Sequence, residues 1–247
     1  MPHKSGSMRI AVVSDIHGNL TAFEAVLADL RQTSPDLIFH GGDLPDAGSS
    51  PVEIVDRIRA LGWQGVRGNS DEMLATPDSL KEFAAKRPPQ MQHLFAVVEE
   101  MAAATRERLG AERLAWLRGL PLVWVHSPLA LVHASPESAW RSPTQDAGDA
   151  ELESVYKPLG QPIVAYGHIH QPYIRNVSGM IVTNTGSVSL SYDGDRRASY
   201  LLVDDSKAEI RRVEYDLDKE LKLLSGSGLP HADWVAKILE NARPQMP

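Results

Sequence analysis

The chain is predicted to fold as an α/β protein, and three features of the sequence predict it. Over the first 70 residues, short apolar runs rich in branched residues alternate with stretches of helical spacing. Residues 76–118 are helix-patterned and interrupted by prolines. From Leu122 onward the runs read mostly as strands. Alternating strand and helix implies parallel strands joined by helical crossovers. In such sheets ligands collect beyond the carboxyl ends of the strands.

Arg9 to Ser14 reads as a buried strand. Leu20, Phe23, Leu27 and Leu30 follow at helical spacing, with Asn19 as N-cap. Asp36 to His40 is a second strand, ending in Gly41-Gly42-Asp43. Ser50-Pro51-Val52-Glu53 has the form of a capping box with proline at the first helical position, and Ile54, Val55, Ile58 and Leu61 continue that helix. A third strand runs to Arg67 and stops at Gly68-Asn69, a tight turn by composition. Thr76-Pro77 opens a helical insert, 76–118, which Arg87-Pro88-Pro89 interrupts. Leu94, Val97, Val98, Met101 and Leu109 mark one face of its longer helix, and Leu114 and Leu117 extend the pattern past Gly110. The insert is expected either over the site or simply against the sheet edge. Strands are expected at 122–125, 129–133, 162–166, 171–176, 179–183, 198–203 and 207–214, with a hairpin turn at Ser178-Gly179. Two short helices should close the chain, split by Ser225-Gly226-Ser227-Gly228, with Trp234, Ile238 and Leu239 as the packing face of the last. One folded domain over 8–247 is expected, with residues 1–7 a native tail or a cloning scar.

The 247 residues are 43% hydrophobic, enough for a sizeable core, and hold no uninterrupted apolar run of the roughly 18 residues a membrane span needs. A net charge of −7 disfavours stable nucleic-acid binding, because phosphate backbones are bound by basic surfaces. It leaves room for a small phosphorylated substrate, since bound metal can invert the local sign. There is no cysteine, hence no disulfide framework and no thiolate chemistry. A cytoplasmic protein with no membrane partner is the expectation. Homo-oligomerisation stays open.

Five segments carry the chemistry: Asp15-Ile16-His17, Gly41-Gly42-Asp43, Gly68-Asn69-Ser70-Asp71, His133 and Gly167-His168-Ile169-His170. Each sits at or just after the end of an apolar run. In an extended chain alternate side chains point the same way, so Asp15 with His17, and His168 with His170, can each converge on metal. Asp43 has two carboxylate oxygens and can bridge two ions. The amide oxygen of Asn69 is a hard, neutral donor. Taken singly most of these are weak signals: an Asp-x-His is more often a turn, and a lone strand-end histidine such as His133 is usually structural. Gly167-His168-Ile169-His170 is the most specific. His3, His40, His93, His126 and His231 have no such company and read as structural or surface residues, with His93 a candidate for the insert's inner face.

The five segments in this order resemble the calcineurin-like metallophosphoesterase superfamily, whose pattern is D-x-H, G-D, G-N-H-D, H and G-H-x-H. The likeness is strongest to its small bacterial and archaeal phosphodiesterase-like branch. Thr105 to Leu109, Leu114 to Pro121, Asn184 to Val188 and Asp193 to Ser199 extend it, so that it covers roughly residues 8 to 204. The resemblance implies a four-layer α/β/β/α sandwich with the insert near the active site. It implies one ion held by Asp15, His17, Asp43 and His170, and another held by Asp43, Asn69, His133 and His168. Asp43, Asn69 and His168 would then be catalytic as well as ligating. Two divalent ions about 3.5–4 Å apart share and acidify a water, and the resulting hydroxide attacks phosphorus in line. Nitrogen and oxygen donors suit Mn, Fe, Zn, Co or Ni.

Ser70 departs from the pattern, which often has histidine there, near the leaving group. Serine is too weak an acid at pH 7 to replace it, and losing general acid catalysis costs about 10²–10⁴ in rate, mostly for poor leaving groups. The resemblance then implies a phosphodiesterase with weak monoesterase activity, and Asp71 keeps only a supporting role. Three alternatives remain: a phosphomonoesterase acting on nucleotides, sugars or proteins, a non-catalytic metal-binding module like the retromer subunit of this fold, and a DNA-repair nuclease. Selectivity is expected in the insert and near Arg67, Arg141 and Arg197.

Overall fold

The computed structural model describes residues 8–204 and 207–247. In chain order its elements are β1 (Arg9–Val13), α1 (Leu20–Thr33), β2 (Leu37–His40), α2 (Pro51–Leu61), β3 (Gln64–Gly65), α3 (Asn69–Ala75), α4 (Asp78–Ala84), α5 (Gln92–Arg118), β4 (Val123–His126), β5 (Leu129–Val132), α6 (Asp149–Tyr156), β6 (Ile163–Tyr166), β7 (Tyr173–Val177), β8 (Met180–Asn184), β9 (Ala198–Asp204), β10 (Lys207–Val213), α7 (Leu217–Ser225) and α8 (Ala232–Asn241).

The strands form two five-stranded sheets, ordered β10-β9-β1-β2-β3 and β4-β5-β6-β8-β7. In the first, β1, β2 and β3 run parallel, and β9 and β10 join antiparallel. In the second, β5, β6 and β8 are parallel, flanked by antiparallel β4 and β7. The two-residue period of β1 sets the layering. Ile10 and Val12 pack between the sheets with Phe39, Leu129, Leu131 and Leu201. Ala11 and Val13 face the other way, onto Phe23, Val26, Ile54 and Ile58 of α1 and α2. On the far side Val132, Val164 and Tyr166 pack on Leu152 and Tyr156 of α6. The order is helices, sheet, sheet, helix, a four-layer sandwich. Each branched side chain taken fully from water adds about 1.5–3 kcal/mol, so this alternation strongly fixes the register.

Several expected features take a different local form. Asn19 does cap α1, accepting from the Ala22 N–H at 2.8 Å. Ser50 precedes α2 without a side-chain cap bond; its hydroxyl pairs with Ser49 instead, so the capping box is not formed. Gly68-Asn69 is not a left-handed turn, because Asn69 opens α3 and Gly68 is extended. The third strand is reduced to two residues. The insert breaks at the prolines as expected, and α5 kinks at Gly110, where φ is 69°. The helix α6 was not anticipated, although Leu152 and Tyr156 stand four apart and both are buried. The expected tail, residues 1–7, lies outside the described residues.

His40, at the end of β2, is fully buried, and neither ring nitrogen has a hydrogen-bonding partner among the described residues. Burial alone depresses its pKa to about 3. The unfolded chain takes up a proton near pH 6.5, whereas the folded one resists it to about pH 3. Stability therefore rises with pH through that window, by up to about one kcal/mol per unit from this residue. His40→Leu is expected to flatten the stability-versus-pH curve between about pH 4 and 6 by about one proton. Denaturant melts across that range provide the measurement, and an unchanged slope refutes the assignment.

Candidate metal centre

All five motif segments meet at one edge of the sandwich, beyond the carboxyl ends of β1, β2, β3, β5 and β6. Parallel alignment within each sheet puts those ends together, and stacking of the two sheets brings the two sets face to face. Asp15, His17, Asp43 and His170 are buried and offer donor atoms all within 4.8 Å of one another, an arrangement that could hold a metal ion. His170 Nε2 lies 3.0 Å from Asp15 Oδ1, and His17 Nε2 lies 3.6 Å from Asp43 Oδ2. Beside them stands a second group. Asn69 Oδ1 is 3.0 Å from His133 Nε2 and 2.8 Å from His168 Nδ1. Asp43 Oδ1 faces this group, 3.5 Å from His133 Nε2.

The extended-chain argument for the paired residues does not hold. Asp15, His17, Asp43, His168 and His170 all have left-handed backbones, with φ from 47° to 68°. That conformation is uncommon outside glycine and costs of order 1–3 kcal/mol per residue, so the surroundings must enforce it. Hydrogen bonds do so. The Asp15 N–H donates to Gly42 C=O, His17 N–H to Asp43 C=O, and Val188 N–H to Ser14 C=O. Close approach contributes too: a Cβ on Gly68 would sit 2.0 Å from Asp43 Oδ1, and one on Gly167 2.3 Å from Asp15 Oδ2.

Imidazole orientation tests whether these residues suit a metal. His17, His133 and His170 each place Nδ1 against a backbone carbonyl, of Asp46 at 3.1 Å, Gly41 at 2.8 Å and Leu190 at 2.5 Å. In a neutral ring, donation from Nδ1 puts the lone pair on Nε2. His17 Nε2 and His170 Nε2 then confront each other at 3.3 Å, and His133 Nε2 confronts the acceptor oxygen of Asn69. Lone pairs aimed at lone pairs in a buried pocket call for a cation between them. Backbone carbonyls are also usual outer partners of metal-binding histidines. The donor set fits.

The electrostatics agree. Burial opposes charge on Asp15, but His170, His133 and His17 outweigh it and hold the carboxyl far below its usual range. Burial keeps His17 and His168 neutral, His168 down to about 4. Burial also works against a charge on His133, yet Asp43 and Asp15 overcome it and raise that pKa. Asp71 is fully buried and touches no other side chain of the cluster through its oxygens. Its Oδ2 accepts from the Asp43 and Gly68 N–H groups at 2.9 and 2.8 Å, and Oδ1 from Leu44 N–H at 3.0 Å. It clamps the turn that aims Asp43. Burial, with Asp43 nearby, pushes its pKa to about 6.

A cavity of about 940 Å³ opens onto the cluster, reaching His17, Asp43, Asn69, His168 and His170. The first half of the insert walls it, through Phe83, Met91, Leu94 and Val98, while Leu109 and Leu117 pack into the core. Ser70 lines it as well, buried, its hydroxyl without a partner and its N–H on Asp43 Oδ1 at 2.9 Å. Of the three arginines singled out in sequence, only Arg141 reaches the cavity. Arg67 bonds the Arg118 carbonyl and Arg197 pairs with Asp195. His93 is exposed and outside the lining. Sequence reasoning missed Lys86 and Arg87 on the wall, and Tyr192, stacked on His170 at 4.6 Å. It also missed Asp46, whose carboxyl burial raises to about 7. None of these four stands in a spacing pattern that would have marked it.

Two packed sheets with carboxylates and imidazoles converging beyond their parallel strands define a metal-dependent hydrolase scaffold. Residues 8–208 match the calcineurin-like phosphoesterase superfamily domain, and the chain belongs to that superfamily. It is a metallophosphoesterase, a hydrolase acting on phosphoester bonds. An uncharacterized protein of Methanocaldococcus jannaschii is 30% identical over 253 residues, covering 93% of this chain and 96% of the relative. A symmetrical bis(5'-nucleosyl)-tetraphosphatase of Methylococcus capsulatus is 30% identical over 152 residues, 60% of this chain and 50% of that protein. Among solved structures, a metallophosphoesterase from Sphaerobacter thermophilus superposes with a TM-score of 0.76 at 26% identity, covering 96% of this chain and all of that one. A hypothetical protein of Pyrococcus horikoshii shares the fold at a TM-score of 0.81 and 21% identity, covering 96% and 99% of the two chains.

Asp71→Ala strands three buried N–H groups. A loss of about 3 kcal/mol in folding stability is expected, at roughly 1 kcal/mol or more per donor, together with weaker metal binding because the Asp43 turn loosens. Thermal melts and a metal titration measure the two effects. If stability drops by less than about 1 kcal/mol, the clamp is not what holds the turn.

Proposed function

We propose that this chain is a dinuclear metal phosphoesterase that favours diesters over monoesters. The observation that carries it is the position of Asp43, with Oδ2 toward His17 and Oδ1 toward His133 at 3.6 and 3.5 Å. One carboxylate thus stands between two donor groups and offers each a separate oxygen. The first site would be Asp15, His17, Asp43 and His170, and the second Asp43, Asn69, His133 and His168. Two divalent ions held there would supply Lewis acidity and a water of lowered pKa as the nucleophile. Oxygen and nitrogen donors without thiolate suit Mn, Fe, Co, Ni or Zn.

The chain's own residues do the positioning. Asp15 and Asp43 bring about two negative charges against about four positive ones, so the loaded site draws phosphate to an acidic protein. Asn69 ligates without adding charge and keeps the site electrophilic. Asn69 and His168 are half-buried and face the cavity, while Asp15 and His133 lie behind them. Substrate therefore arrives on the Asn69 side, next to Ser70. The Ser70 hydroxyl can donate a hydrogen bond there but cannot deliver a proton at neutral pH. Esters whose leaving group departs without protonation are favoured. The tetraphosphatase relative is named for a substrate with a nucleosyl group at both ends, which supports a site tolerant of doubly substituted phosphates.

Asp43→Asn is expected to lower metal content from two ions per chain toward one or none and to reduce turnover of a p-nitrophenyl diester by about 10²-fold or more, of the order that one lost transition-state contact costs. Metal analysis with parallel assays measures both, and full activity with intact metal content rejects the bridge. Ser70→His is expected to raise monoester turnover relative to diester turnover by about tenfold or more. Paired assays at fixed metal check it, and an unchanged ratio refutes the leaving-group argument.

A further inference from the structure

The cavity is far larger than a phosphate group, in the range that encloses a drug-sized ligand. Much of its wall beyond the donor cluster is apolar, with Asp46, Ser142 and Thr144 among the polar exceptions, and α5 and α8 supply a large part of that apolar wall. Met91, just before α5, and Leu94, Val98 and Met101 within it recur at steps of three and four and all line the cavity. Val235 and Ile238 of α8 also line it, in one buried cluster with Met101 of α5. The indole N–H of Trp234, also on the lining, is already given to the Gln245 carbonyl. Phe83 and Trp140 stack with ring centroids 4.7 Å apart, and the Arg87 guanidinium lies 4.1 Å over the Phe83 ring. Lys86, Arg87 and Arg141 are the cations of the lining.

A sugar or nucleoside laid against the α5 and α8 side chains would bury hydroxyls that those side chains cannot pair, at about 1–3 kcal/mol for each group left unsatisfied. An alkyl or aryl group gains there instead, and the cations complement the single negative charge that a phosphodiester keeps. Resting on the phosphodiesterase reading above, we infer that the preferred substrate is a phosphodiester bearing a bulky apolar group, alkyl or aryl, seated against the apolar surface that α5 and α8 present to the cavity. The insert is then the specificity element, and the stripe from Met91 to Met101 is its contact surface.

The test holds the leaving group constant. Methyl, octyl and thymidine p-nitrophenyl phosphates are compared with the manganese-loaded protein, below the concentration at which the octyl ester aggregates. The octyl ester is expected to exceed the methyl ester in kcat/KM by at least about tenfold, less than the burial of two methylene groups supplies. Calorimetry on octyl phosphate and methyl phosphate adds a readout independent of turnover. Octyl phosphate should bind at least about tenfold tighter, with a more negative heat-capacity change. Leu94→Asp should abolish the octyl advantage in both measurements, and Leu94→Met should keep it. Equal affinity for the two phosphates, or a thymidine ester that outruns the octyl ester, overturns the inference. If no diester is turned over while octyl phosphate still binds preferentially, the phosphodiesterase reading fails and the apolar site stands.

Discussion

The architecture at the site follows from one electrostatic demand: several lone pairs must point at the same small volume inside the protein. Left alone, such an arrangement repels itself, and water cannot relieve it because Asp15, Asp43, His133 and His170 are almost fully buried. The chain holds it by brute connectivity. Three carbonyls fix three imidazoles from behind, and Asp71 fixes the Asp43 turn. Five proposed ligands are forced into left-handed backbone by bonds that run between strand ends rather than within one turn. Such strain persists only where the surroundings over-determine it. Here they are two packed sheets, and the fold supplies the rigidity that the donor cluster consumes.

That dependence explains what was legible in the sequence. The candidate ligands could be singled out because glycines and acid or imidazole groups stand at the ends of apolar runs, and the fold brings those run ends together. Asp15 and His17, and His168 and His170, converge through left-handed turns and not through strand alternation. Spacing of two fits both geometries, so sequence could not choose between them. The cost of the turns is met by tertiary hydrogen bonds, and tertiary contacts leave no local signature.

Elsewhere the misses have the same cause. Asn69 starts a helix because Gly68 is extended and Asp71 accepts the Gly68 N–H, while the local composition reads as a turn. Asp71 stands in sequence beside a serine where a histidine is expected and so shows no evident task, yet its work is on the backbone of a segment 27 and 28 residues away. Lys86 and Arg141 meet on the lining of one cavity from segments 55 residues apart in number, a proximity that only the folded insert creates.

The two halves of the site answer to different physics. The donor cluster is buried, strained and fixed from behind by main chain, so exchange of any one member disturbs the others and the reaction is hard to alter. The insert contributes side chains to a cavity wall from the open side of α4 and α5, where a change of one apolar residue reshapes the pocket without touching a strand end. Ser70 stands at the boundary, its N–H committed to Asp43 and its hydroxyl free toward the cavity. A residue so placed can change the demand on the leaving group while the metal geometry stays as it is. On the reading proposed above, reaction type is written in the strand ends, and substrate choice in Ser70 and the helices beyond it.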